Sequence, residues 1–287
     1  MRKPEIITAA IAAFGPDGQL DEGMNRAFLE RVEPYSDGVL AVGTTAEFPS
    51  LSFEERRTLI RIALEVFGPD RTIAHVGAPS VMQSKAYAQA AMDLGARRFA
   101  AITPYYLTAS QHGVVGYYQA LRDCIEGELY AYVFPDVACT DVAAETLAQL
   151  QELGLDGVKL SGAASTRLEE YRQAAPQLKL WSGNDADVPH ILAVGGLGTV
   201  SGVSGVAPMS WAELRKAYES DDDSRIAQSQ GQIEELVSVL GPSISRLKYA
   251  LAVLGVNVGN CRMPIDEPDS QMQAKIRELL ASAHISE

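Results

Sequence analysis

Residues 155–162 read LDGVKLSG, and they set Lys159 between Val158 and Leu160 in a short apolar run. The run reads as a buried strand, where an ammonium is costly unless it is paired or neutralised. The chain has seven lysines, and most of the others, such as Lys3, Lys85, Lys216 and Lys275, sit beside polar residues. Moving outward from this stretch, similar apolar runs alternate with helical patterns. Strands are expected at Ile6 to Ala13, Gly38 to Val42, Thr72 to Val76, Arg98 to Thr103, Leu129 to Phe134, Gly157 to Leu160, Leu178 to Trp181 and Thr199 to Val206. Leu51 to Phe67 is the clearest helix, with Ser52 and Glu55 spaced as a capping box. Met82 to Leu94 and Val142 to Leu153 repeat the theme. Apolar strands without alternation, separated by helices, imply a parallel sheet covered on both faces. Eight such units within residues 1–210 fit an α/β chain closed as a (β/α)8 TIM barrel, with a doubly wound open sheet as the alternative. After Pro208 the pattern is helical only (Trp211 to Tyr218, Asp223 to Leu240, Ile244 to Leu254, Asp269 to Ala283), which predicts a C-terminal helical extension over 211–287 packed on the barrel.

Composition narrows the function. The chain has 287 residues, 47% of them hydrophobic, and a formal charge of −13. No basic run exists, so neither nucleic acid nor an anionic membrane is an expected partner. Cys124, Cys139 and Cys261 are odd in number and far apart, which suits a reduced, cytoplasmic setting better than a disulfide frame. The opening MRKPEIITAAIAAF imitates a signal peptide, but Pro4 and Glu5 interrupt it and GPDG follows as a turn, so a first strand is expected. No apolar stretch is long enough to span a bilayer.

In a barrel the reacting groups lie at the carboxyl ends of the strands. Here those ends carry Thr44 and Thr45 in VGTTAE, Tyr105 and Tyr106 in ITPYY, Tyr132 in YAYVFP, Lys159, and Ser182 to Asp185 in WSGND. Tyr106, Tyr132 and Lys159 follow one another at steps of 26 and 27 residues, about one β/α unit each. A lysine among phenols and hydroxyls suits Schiff-base chemistry, because desolvation favours the free amine that attacks a carbonyl. The bland alternative is a lysine whose stem packs while its head reaches solvent. Lys248, in SRLKYAL, is the rival and reads as a surface or structural residue on an amphipathic helix. The histidines His75, His112, His190 and His284 show no metal-ligand spacing.

Taken in order, GTTAE at Gly43 to Glu47, ITPYY at Ile102 to Tyr106, Y-x-x-P at Tyr132 to Pro135, GVK at Gly157 to Lys159, SGND at Ser182 to Asp185 and RMP at Arg262 to Pro264 span nearly the whole chain. In these motifs the chain resembles the dihydrodipicolinate synthase and N-acetylneuraminate lyase superfamily of pyruvate-dependent class I aldolases, with Ala46 replacing a glycine of the usual GTTGE. The resemblance implies that Lys159 forms the imine with a keto acid and that Tyr132 shuttles protons. It further implies that Thr44 and Tyr106 complete the relay, Tyr106 from a neighbouring subunit of a homotetramer built as a dimer of dimers. Thr45 would hold the keto-acid carboxylate, and Gly183, Val200, Ser161, Asn184 and Asp185 would line the substrate pocket. No cofactor or metal is implied, since the imine is itself the electron sink.

Departures from the pattern bear on the aldehyde partner. Synthases that use aspartate semialdehyde carry an arginine two residues after the proline of Y-x-x-P, where this chain has Val137. Valine cannot grip a carboxylate as a guanidinium does, and a distant arginine such as Arg262 would have to replace it. Sialic acid lyases place an acid where Ala186 follows Asp185. The glycines of Gly195 to Gly205 lack G-x-G-x-x-G spacing and read as close strand packing. The segment from Ser182 to Leu214 holds no Lys or Arg, which disfavours a phosphorylated substrate. PSLS at Pro49 to Ser52 resembles 2-keto-3-deoxy sugar acid aldolases. Cleavage of such an acid to pyruvate and an aldehyde is the expected reaction, and dehydration of a related keto-deoxy acid through the same imine comes second. A non-catalytic sensor or scaffold would predict loss of the lysine or the tyrosine, and both are present.

Overall fold

A computed structural model describes residues 2–282. Eight parallel strands, β1 (Glu5–Ala9), β2 (Gly38–Ala41), β3 (Thr72–His75), β4 (Arg98–Ile102), β5 (Glu128–Val133), β6 (Gly157–Leu160), β7 (Lys179–Ser182) and β8 (Gly198–Ser201), pair in sequence order. β8 pairs back onto β1, which closes the barrel. The expected strand centres hold, and most ends agree to within one residue, but the ends of β1 and β8 fall well short. Ala10 to Phe14 stay buried without continuing β1 and form a connection tied to Asn25, whose side chain bonds both the N–H and the C=O of Ala13. β8 stops at Ser201 because its hydroxyl accepts the Ser204 N–H and turns the chain into the 3-10 turn Val203–Gly205.

The helices are α1 (Glu22–Val32), α2 (Phe53–Phe67), α3 (Val81–Asp93), α4 (Gln111–Arg122), α5 (Pro135–Ala138), α6 (Ala144–Glu152), α7 (Leu168–Ala174), α8 (Val188–Ala193), α9 (Pro208–Glu219), α10 (Asp223–Leu240), α11 (Ile244–Val253) and α12 (Ser270–Ser282). The capping box expected at Ser52 and Glu55 starts α2, each side chain bonding the other's backbone N–H. α9 runs across the boundary expected at residue 210 and packs beside β1 as a helix of the barrel wall, so the purely helical extension starts at α10. Ala283, expected at the end of the last helix, and His284 lie outside the described residues. Among the described residues no single helix is long and apolar enough to cross a membrane.

The core has two parts. Outward strand residues pack under the helices, while Ile7, Leu40, Ile73, Ala100, Tyr130, Trp181 and Val200 fill the barrel interior. Gly157 makes this filling possible, because a Cβ there would stand 3.0 Å from the Trp181 ring. Tyr130 and Trp181 meet edge to face at 5.1 Å and floor the lumen. The next inward residues along β3, β5 and β6 are His75, Tyr132 and Lys159, which form the layer above that floor.

Candidate active site

Strand register brings the central residues together. Tyr132 on β5 is paired with Lys159 on β6, and the Lys159 Nζ lies 4.2 Å from the centre of the Tyr132 ring. Lys159 is 8% exposed, so its head does not reach freely into solvent. The phenol of Tyr132 is hydrogen-bonded to the Thr44 hydroxyl at 3.0 Å. Thr44 and Thr45 begin a 3-10 turn, Thr44–Ala46, that ends on Glu47 in the left-handed region at φ 54°.

Glu47 anchors that turn to the C-terminal part of the chain. It is fully buried, one carboxylate oxygen lies 2.8 Å from the Lys248 Nζ, and the other accepts the N–H groups of Arg262 and Met263. Lys248 also donates to the Asn260 carbonyl at 2.8 Å. Of the two places expected for Lys248, surface or structural, the structural one holds: α11 turns it inward, where burial pushes it below the ordinary lysine range while Glu47 opposes the shift. Arg262, the distant arginine weighed for gripping a carboxylate, is committed to both oxygens of Glu55 and to the carbonyls of Gly18 and Ser50.

The remaining expected residues fall into three groups. Thr45 faces the end of β8, 3.3 Å from where a Cβ on Gly202 would stand, and Val200 lies just below in the lumen. Ser161 and Gly183 close on each other: a Cβ on Gly183 would stand 2.6 Å from the Ser161 hydroxyl, and the Gly183 N–H is bonded to the Leu160 carbonyl. Asn184 is exposed at the rim. Asp185 is turned inward, and its carboxylate accepts from the hydroxyls of Thr199 and Ser201. Burial pushes Asp185 up to about 6, against the pull of those hydroxyls and of Lys159. Gln230 of α10 donates to the Asp185 carbonyl, tying the helical extension to this loop. Tyr106 stands apart: it is 85% exposed on the loop after β4, with a left-handed backbone at φ 76°.

Two features have no counterpart among the sequence motifs. The carboxylate of Asp136, on α5, accepts the Ala163 N–H at 2.8 Å and so joins the loops that follow Tyr132 and Lys159. Only a glycine fits at 162 beneath it, where a Cβ would lie 2.1 Å from the carboxylate and φ is 58°. His75 is completely buried beside Tyr132, with ring centres 6.1 Å apart. Charge at the mouth is lopsided. In the eight strand-to-helix connections the one basic side chain is Arg167, bound to Asp141 at 2.6 Å, while Asp136, Asp141 and Asp187 add acid there.

The model of the dihydrodipicolinate synthetase family matches residues 3–283. A 4-hydroxy-tetrahydrodipicolinate synthase of Gluconacetobacter diazotrophicus is 31% identical over 289 residues, covering 96% of both chains. An uncharacterized DapA-like lyase of Halobacterium salinarum is 32% identical, covering 96% of this chain and 92% of its own. Among solved structures, the chloride-inhibited dihydrodipicolinate synthase of Acinetobacter baumannii, complexed with pyruvate, superposes with a TM-score of 0.90 at 25% identity, over 99% of this chain and all of the other. A variant of the 2-keto-3-deoxygluconate aldolase of Sulfolobus solfataricus shares the fold, with a TM-score of 0.87 at 23% identity over 98% of this chain and 96% of its own.

Proposed function

Because the chain belongs to the dihydrodipicolinate synthetase family, within the pyruvate-dependent aldolase and lyase superfamily, we propose that it cleaves a 2-keto-3-deoxy sugar acid to pyruvate and an aldehyde through an imine on Lys159. The observation that carries this reading is the cluster in which the Lys159 Nζ lies over the Tyr132 ring and the Tyr132 phenol is bonded to Thr44. The amine of Lys159 attacks the keto carbon, and Tyr132 protonates the departing carbinolamine hydroxyl. The protonated imine then draws the electron pair of the breaking C3–C4 bond, while Tyr132 accepts the proton of the C4 hydroxyl and the aldehyde leaves. The resulting enamine is protonated at C3, and water releases pyruvate and the free lysine. Because the imine supplies the electron sink, these steps call on no metal or other cofactor.

Thr44 relays protons to Tyr132, and Tyr106 joins that relay from a neighbouring copy of the chain in a homotetramer. Thr45 and the N–H groups beside it hold the keto-acid carboxylate, and Val200, Ser161, Gly183 and Asn184 line the pocket. Asp185 acts from behind, fixing the ends of β7 and β8 rather than contacting the sugar chain. The free thiols of all three cysteines suit a cytoplasmic setting.

The aldehyde half is read from charge. With Val137 half-exposed and Arg167 already paired, the mouth offers no guanidinium to an anionic aldehyde. The names of the relatives favour a second reading, in which pyruvate condenses with aspartate semialdehyde; dehydration of a keto-deoxy acid is a third. One experiment separates them. Borohydride with pyruvate should trap an adduct that peptide mapping finds on Lys159. A panel of glyceraldehyde, aspartate semialdehyde and a phosphorylated aldehyde should then favour the neutral polyol. A lost charge-assisted contact is worth about 1.5–3 kcal/mol, so the preference should be roughly ten- to a hundredfold in kcat/KM. An adduct on Lys248 would overturn the imine assignment, and preference for aspartate semialdehyde would overturn the substrate class.

A further inference from the structure

His75 ends β3 in the same inward layer as Tyr132 and Lys159, and it is 0% exposed. Its Nε2 accepts the Ile102 N–H at 3.2 Å. Ile102 is the register partner of Tyr132, and the next N–H along, that of Thr103, donates to the Tyr132 carbonyl at 3.0 Å. The imidazole thus completes the end of β4 directly opposite the phenol-bearing residue. Its ring meets Tyr132 edge-on, at 82° between planes, and packs on Phe48 at 4.6 Å from the other side. Gly77 leaves the room for this arrangement, since a Cβ there would stand 2.8 Å from Nε2 and 2.7 Å from the Ile102 nitrogen.

The other nitrogen is the unusual one. An acceptor at Nε2 puts the hydrogen on Nδ1, which is buried without a well-formed hydrogen bond. Burial holds the imidazole well below its ordinary range, Arg56 and Lys159 push the same way, and the Val42 backbone is the group that opposes them. Val42 is itself strained: a β-branched residue at φ 62°, it starts the turn that presents Thr44. A valine or isoleucine at position 75 would fill the layer without burying an imperfectly paired N–H, which costs about 1–3 kcal/mol. A cost of this kind beside two reactive side chains points to a role in the site.

We infer that His75 is a positioning residue for the proton relay: it braces the Tyr132 ring and ties it to the tip of β4, so that the phenol stays on Thr44. The inference rests on the imine reading of Lys159 and Tyr132. Small displacements of a reacting group are expensive, about a hundredfold in rate for 1 Å. His75→Phe keeps an aromatic ring, somewhat larger than imidazole, but removes the Nε2 acceptor. It should lower kcat about 10- to 100-fold and leave KM within about threefold.

A double-mutant cycle with Tyr132→Phe supplies the readout that a purely structural residue would not move. If His75 acts through the phenol, His75→Phe should cost less than about threefold once the phenol is gone. His75→Gln, which restores an acceptor for the Ile102 N–H, should recover part of the loss and stands in should the Phe variant fail to fold. Penalties that multiply in the double variant, or full kcat in His75→Phe, would overturn the role. Absence of a borohydride-trapped pyruvate adduct in the unmodified protein would instead overturn the reading of the site.

Discussion

Asp185 shows what one buried carboxyl does to a pH profile. The unfolded chain ionises it near the ordinary 3.8, and the folded chain near 6. Between those values the folded state holds the proton that the unfolded state has lost, so stability falls as pH rises from about 4 to 6 and stays lower above. Asp185→Asn removes this dependence. Relative to the variant, the unmodified protein should lose about 1–3 kcal/mol between pH 4 and pH 7 in urea titrations, and a gap that stays constant would show that Asp185 is not the group involved. The inward turn of this side chain was not legible in SGND, because a motif fixes residue order and says nothing of which hydroxyls a carboxyl meets. Lys159, Tyr132 and Thr44 were legible, since a strand-end position in successive β/α units already determines that such residues converge. His75 was not: a lone histidine with apolar neighbours carries no spacing signal, and its importance comes from Ile102, 27 residues away.

At the level of elements, strand and helix positions followed from apolar runs and caps, whereas strand ends did not, because Asn25 and Ser201 decide them through side-chain bonds to backbone. The same kind of long-range bond joins the Thr44–Ala46 turn to α11 through Glu47 and Lys248, residues that read locally as the end of a motif and a surface or structural lysine on a helix. The Lys248 ammonium also sits 4.5 Å from the centre of the Phe14 ring, so β1's connection, the turn and the extension meet at one buried ion pair. Lys248→Met leaves the Glu47 charge without its partner and should destabilise the fold by about 3–5 kcal/mol. Adding Glu47→Gln to it should recover more than half of that loss in chemical denaturation. Equal or greater damage in the double variant would mean that Glu47 is held by the Arg262 and Met263 N–H groups alone.

For the molecule as a whole, the closed barrel was predicted by eight repeating units, but the assembly is not written in any one of them. Tyr106 and Leu107 are 85% and 76% exposed side by side on the loop after β4, where they form an apolar patch. In the proposed assembly a second copy covers this patch and receives Tyr106. Leu107→Glu should therefore give monomers by light scattering and lower kcat about 10- to 100-fold through loss of the relay residue, while the melting curve of each monomer stays cooperative. A monomeric variant with full kcat would place Tyr106 outside the reaction. The closure between β1 and β8 also has a consequence for the chain while it is being made. Gly198 lies so close to β1 that a Cβ would stand 2.1 Å from the Glu5 carbonyl, and this seam joins residues 193 apart in sequence. At roughly 5–20 residues per second, translation leaves the β1 edge waiting about 10–40 s for its second partner. During that interval the growing sheet has two open edges, and the unpaired backbone of β1 stays available to other strands until Ser201 has left the ribosome.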